Sequence, residues 1–228
     1  MRTRYLPLVM LVIVLGVAMF GKKFVPQPGW KGDTRPMFAL ELPKDDAEVQ
    51  ALLGYDASNP ARDSARESIR SDYALIVAYT LLFIAFALVH RPGWRVLLIL
   101  AAAATAALDV WENAIILRFV DDPAVAVAAE VRSVAQAKWL CFFVAVALIA
   151  PLFARAAGGW WTMTILLILG GLAGIAARFY GRHEFGLMAF ADALLLALAA
   201  VLLPMAVEEK PAKAPARRMP PRKPVMPT

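Results

Sequence analysis

Apolar residues fall into long blocks along this chain, separated by short clusters of polar and turn-forming residues. The blocks cover about 6–20, 73–89, 96–119, 131–153, 160–177 and 185–201. Most are long enough, as helices, to cross hydrocarbon about 30 Å thick. The pattern predicts an all-α polytopic membrane bundle of about six transmembrane helices. It divides the chain into a signal anchor or first transmembrane helix (1–20), a loop with short helices (21–72), a five-helix membrane bundle (73–204) and a basic Pro-rich tail (205–228).

The first block is ambiguous in one respect. Arg2 and Arg4 precede it and the small residues Gly16-Val17-Ala18 lie near its end, as in a secretory signal. It is read here as a retained anchor, because Met19, Phe20, Lys22 and Lys23 continue without an obvious break. Lys and Arg in short loops set the direction. Placing both termini in the cytoplasm puts Arg2, Arg4, Arg91, Arg95, Arg155 and the tail inside, and makes 21–72 extracytoplasmic. Trp94, Trp139, Trp160 and Trp161 fall near the expected interfaces.

Within 21–72, Asp45 or Asp46 is placed to cap a short helix through Leu53, and Asn59-Pro60 is a helix start with proline at the first helical position. From there a helix should run straight into the second span at Asp72. These fifty residues are too few to bury a core alone. They either fold over the bundle or form a solvated connector.

Composition sharpens the reading. Of 228 residues, 61% are hydrophobic and 18% charged, with mean hydropathy +0.61, which excludes an ordinary soluble domain. The net charge of +6 does not indicate nucleic acid, because six of the 24 basic residues lie in the tail and most others flank apolar blocks. The tail basic residues, among them Arg217, Arg218, Arg222 and Lys223, suit anionic lipid headgroups or simply mark the cytoplasmic side. Cys141 is the single cysteine, so no intrachain disulfide forms, and it reads as a small buried hydrophobe. The Ala-rich spans and short loops suit a bacterial inner membrane.

One set of residues breaks the apolar pattern. Asp109, Glu112 and Asn113 stand at i, i+3 and i+4 inside the third block, on one helix face that Thr105 extends. A charge near a bilayer centre costs about 2.5–3.5 kcal/mol on insertion scales, so such residues are paired, protonated or set in a polar cavity. Two neighbouring carboxylates disfavour double ionisation, and a shared proton or a cation between them relieves that. Asp192 in the last block also lies too deep to reach the headgroups, and repeats at four-residue spacing with Glu184 and Met188. Asp109, Glu112, Asn113 and Asp192 are therefore the candidates for binding or proton relay.

Supporting candidates lie nearer the ends of spans. Asp72 shares a face with Tyr79 and His90, and Lys138 either neutralises a carboxylate or extends to the headgroups. Arg178 lines up with Gly170-x-x-x-Gly174, a packing spacing common in membrane helices. With His90 and His183 on opposite sides and no paired cysteines, no conventional metal site is expected, and no cofactor is indicated. No Gly-x-Ser-x-Gly elbow or phosphate loop occurs.

Three functions fit. The leading one is a small transporter or membrane binding protein for a solute or ion, with proton coupling, and it requires a cavity reaching Asp109. The second is an accessory or scaffold protein whose polar cluster is structural. The third is an intramembrane enzyme using acid–base catalysis on a lipid or isoprenoid-like substrate. The expected partners are the lipid bilayer, a second copy of the chain or another membrane protein, with no nucleic acid.

Overall fold

The computed structural model describes residues 3–21, 23–31, 36–56, 58–155, 160–177 and 182–208. Among them the chain is helical without a strand: α1 (Leu6–Phe20), α2 (Pro36–Glu41), α3 (Asp46–Leu53), α4 (Pro60–Val89), α5 (Pro92–Asp121), α6 (Ala128–Ala154), α7 (Trp161–Ala177) and α8 (Arg182–Glu208). Five helices are long and apolar enough to cross a membrane: Thr3–Phe20, Pro60–Val89, Pro92–Asp121, Ala128–Ala154 and Leu187–Val207. The fifth apolar block forms a shorter apolar helix, Trp161–Ala176. At 1.5 Å per residue the 17 residues of α7 reach only about 25 Å. The basic tail, Arg178, and the side chains of His183 and Glu184 lie outside the described residues.

The long helices close a ring. In order around it stand α1, α4, α5, α6, α7 and α8, with α8 returning to α1. Contacts of α6 with α4 and with α8 cross the ring, so α6 is the most enclosed helix. Its buried residues include Phe143, Val146, Ile149 and Phe153, which join Phe83, Phe86, Leu98, Leu167 and Leu203 in the main core. Facing outward is an apolar surface that includes Ile13 and Leu15 on α1, Leu97 and Leu100 on α5, Leu169 on α7 and Leu194 on α8. Apolar residues outside with Asp, Glu, Lys and Arg inside is the arrangement that a bilayer imposes and water penalises.

Local chemistry sets the helix ends. Asn59 caps α4, its side chain accepting from Ala61 N at 2.9 Å, with Pro60 at the first helical position. α4 then continues unbroken for 30 residues, about 45 Å, so its first turns extend past a bilayer's hydrocarbon. At its far end Arg95 donates to the carbonyls of Ala87, Leu88 and His90, satisfying acceptors that the helix leaves open.

The protruding ends of α4, α5 and α6 carry the segment that includes α2 and α3. A second core forms there from Leu40, Val49, Leu52 and Leu53 against Ile69, Ile116, Phe119, Val120 and Val131. Polar clamps hold it down. Asp45 caps α3 by accepting from Glu48 N at 2.8 Å. Asp46 Oδ1 accepts from Val127 N (2.8 Å) and Ala128 N (2.9 Å) at the start of α6. Gln50 donates to Pro123 O at 2.6 Å, and Arg132 donates to the carbonyls of Pro43 and Lys44.

Arg62 is the central fastening. Fully buried, it donates to Phe119 O (2.6 Å), Val120 O (3.3 Å), Gly54 O (2.6 Å) and Gln50 Oε1 (3.3 Å). Its guanidinium carbon also lies 5.1 Å from the centre of the Phe119 ring. Arg62, Arg66 and Arg70 recur every four residues, a pattern that suits a wet or interfacial helix, yet Arg62 is buried, because the segment carrying α3 covers it.

Candidate functional site

The site lies where α4, α5 and α6 meet beneath α2. On α5 the 3.6-residue period brings Thr105, Asp109, Glu112 and Asn113 to the buried side, while Trp111 points outward. On α6 the same period puts Lys138 between Val134, Ala135 and the aromatic pair Phe142 and Phe143. Lys138 does not turn out toward headgroups. Its ammonium nitrogen stands 2.8 Å from Glu112 Oε2, 3.2 Å from Asp109 Oδ1 and 3.3 Å from Glu41 Oε2. Three carboxylates from two elements surround one cation.

Two hydrogen bonds extend the cluster to α4. Tyr79 donates its hydroxyl to Asp109 Oδ2 at 2.9 Å, and Asn113 donates its amide to Asp72 Oδ2 at 2.8 Å. Asp72 itself has no ion-pair partner within 4 Å among the described residues. Thr105 turns its hydroxyl back to Ala101 O at 2.9 Å, satisfying it within the helix.

A cavity of about 260 Å³ opens beside these groups. Its polar lining is Glu41, Asp72, Tyr79, Thr105, Asp109 and Lys138, and its apolar lining is Phe38, Leu75, Trp139 and Phe142. The rings support one another. Phe38 stacks on Trp139 with centroids 6.3 Å apart, and Phe142 meets Trp139 edge-on at 5.4 Å. The Lys138 ammonium is 5.4 Å from the Trp139 ring centre, within cation–π range.

Asp192 stands elsewhere. It is 1% exposed and neither hydrogen-bonds to the cluster nor lines the cavity. It faces α7, where a Cβ at Gly170 would collide with Asp192 Oδ1 and with Leu195. Its Oδ2 has no hydrogen-bond partner among the described residues. The two glycines of the Gly-x-x-x-Gly spacing thus serve different neighbours, since a Cβ at Gly174 would meet the Phe143 ring on α6. His90, at the opposite end of α4, is buried and also lies away from the site. Cys141 is partly exposed.

Glu41 and Phe38 are cavity-lining residues that sequence reasoning missed. They sit on α2, in a stretch marked by prolines and glycines, 97 and 100 positions before Lys138. The sequence gives one hint: Phe38, Leu40 and Leu42 alternate with Glu41 in a segment otherwise rich in charge.

Four carboxylates and one ammonium make up the cluster: Glu41, Asp72, Asp109 and Lys138 line the cavity, and Glu112 pairs with Lys138 outside its lining. Fully ionised, the set carries a net charge of −3 (four negative, one positive). In surroundings of low dielectric such a surplus is relieved by bound protons or by a further cation. Among the described residues no group of three or more His, Cys, Asp or Glu is arranged to hold a metal ion. No family model, no curated protein and no solved structure matches this chain.

Proposed function

We propose that this integral membrane protein binds a small cationic solute in the cavity under α2 and moves it across the bilayer in exchange for protons. The observation that carries the reading is the cavity itself, which reaches Asp109, is walled by Phe38, Tyr79, Trp139 and Phe142, and has an acidic excess over Lys138. Aromatic faces and carboxylates together favour an ammonium group, by cation–π attraction and by charge-assisted hydrogen bonds. Asp72 is the receptor for that group, because the other three carboxylates already hold Lys138. The positive charge of the solute and one or more protons compete for the same acidic excess, which couples them.

The complete engagement of Lys138 favours a second reading, in which the cluster is a pin that keeps α5 and α6 in register for a scaffold. Titration calorimetry separates the two. Ethylammonium should bind to purified protein in lipid nanodiscs with an enthalpy that varies with the ionisation enthalpy of the buffer, and acetate should not bind. Asp72→Asn should abolish the signal. Absence of ethylammonium binding to the wild type at millimolar concentration would leave the scaffold reading in its place.

A further inference from the structure

A second cavity of about 340 Å³ adjoins the first, on the side toward α1. Asp72 and Leu75 line both, so the two spaces share one wall on α4. The second cavity is graded in polarity. Lys23, Ser68, Ser71 and Asp72 form its polar part, while Val17 and Ala18 at the end of α1 form part of its apolar side. Beyond them the surface of α1 is exposed and apolar, with Met19 and Phe20 largely uncovered.

That sequence of surroundings runs from carboxylates and aromatic rings, through a lysine with hydroxyls, to apolar helix surface. It matches the order of groups in one class of molecule: an ammonium, a phosphate two carbons away, and then acyl chains. We propose that the joined cavities seat the headgroup of an ethanolamine phospholipid, with its ammonium at Asp72, its phosphate beside Lys23 and its acyl chains along α1. The inference rests on the cation-binding reading above, and names the ligand class for that site.

Each part of the lipid meets what its chemistry requires. A primary ammonium donates three hydrogen bonds, which suits a carboxylate wall better than a choline group, whose methyls donate none. Of the two cations that line the joined cavities among the described residues, the phosphate takes Lys23, which is exposed, since Lys138 is buried among carboxylates. Apolar chains leave the site without meeting water, because the adjoining α1 surface is of the kind that faces hydrocarbon. A phosphatidylglycerol headgroup brings no cation to Asp72. The same ammonium–phosphate unit also exists as free phosphoethanolamine, and the test distinguishes the two sources.

Native mass spectrometry of the detergent-purified chain, incubated with defined lipids, reads retention directly. Phosphatidylethanolamine should be retained at least about tenfold more than phosphatidylglycerol or phosphatidylcholine of the same chains. Lys23→Glu, at an exposed position, should lower that retention by about tenfold while ethylammonium binding persists. Asp72→Asn should remove both. Equal retention of the three lipids, or an unchanged Lys23→Glu variant, overturns the lipid seat and leaves the small-cation reading standing. Free phosphoethanolamine binding as tightly as the lipid overturns it as well. Lipid retention that depends on Lys23 and Asp72, without ethylammonium binding to the wild type, supports the seat and removes the small-solute reading.

Discussion

Lys138 Nζ stands 2.8 Å from Glu112 Oε2, with 7% of the lysine side chain and 1% of the glutamate side chain left exposed. An ion pair so enclosed depends on both partners, because removing one leaves a buried charge without compensation, at a cost of about 3–5 kcal/mol. Lys138→Met is expected to lower the thermal unfolding temperature sharply in a mild detergent. The triple variant Lys138→Met, Asp109→Asn, Glu112→Gln keeps the volume and removes most of the charge, and is expected to recover most of the loss. A triple variant as unstable as the single one would show that packing, rather than charge balance, governs this position.

Arg62 is expected to be the most sensitive position outside the cavity. Its guanidinium reaches acceptors on α3, on the turn after α3 and at the end of α5, a spread that a lysine ammonium does not cover. Arg62→Lys should cost about 3 kcal/mol, the scale for losing charge-assisted hydrogen bonds and leaving buried carbonyls open. Amide hydrogen exchange is the second readout. Protection should fall in 46–53 and stay near wild type in the α7 described residues, whereas uniform loss would refute a local fastening.

The contact of Gly170 with Asp192 predicts coupling between α7 and α8. Gly170→Ala drives a methyl group into the Asp192 carboxylate, and overpacking of this kind costs about 1–3 kcal/mol. Asp192→Ala makes room, so the double variant should be more stable than the two single effects added together. A double-mutant cycle in thermal unfolding measures the difference. Strict additivity would mean that Asp192 does not hold this place.

Much of the architecture was legible because a bilayer demands long apolar helices, and the period of Asp109, Glu112 and Asn113 shows which face is buried. The period identifies the face without identifying the neighbour across it. Asp192 illustrates the difference: it is buried, but packs on Gly170 instead of joining the cluster. Lys138 shows another. From sequence its stem suits either the headgroups or the interior, and the deciding fact is Glu41 on α2, 97 residues earlier. A six-residue helix after prolines carries no period long enough to place it, so the sequence left a cover over the bundle and a solvated connector equally open.

The fastenings of that cover have an uneven dependence on side-chain identity. Arg62 and Arg132 grip mostly main-chain oxygens, at 119, 120 and 54 in one case and at 43 and 44 in the other, while Asp46 grips main-chain nitrogens at 127 and 128. Every residue type offers a carbonyl, and every type but proline offers an N–H. Drift at the gripped positions therefore leaves these bonds in place so long as the backbone keeps its path, whereas one change at 46, 62 or 132 undoes several at once. The lid can keep its seat while the surface beneath it is rewritten.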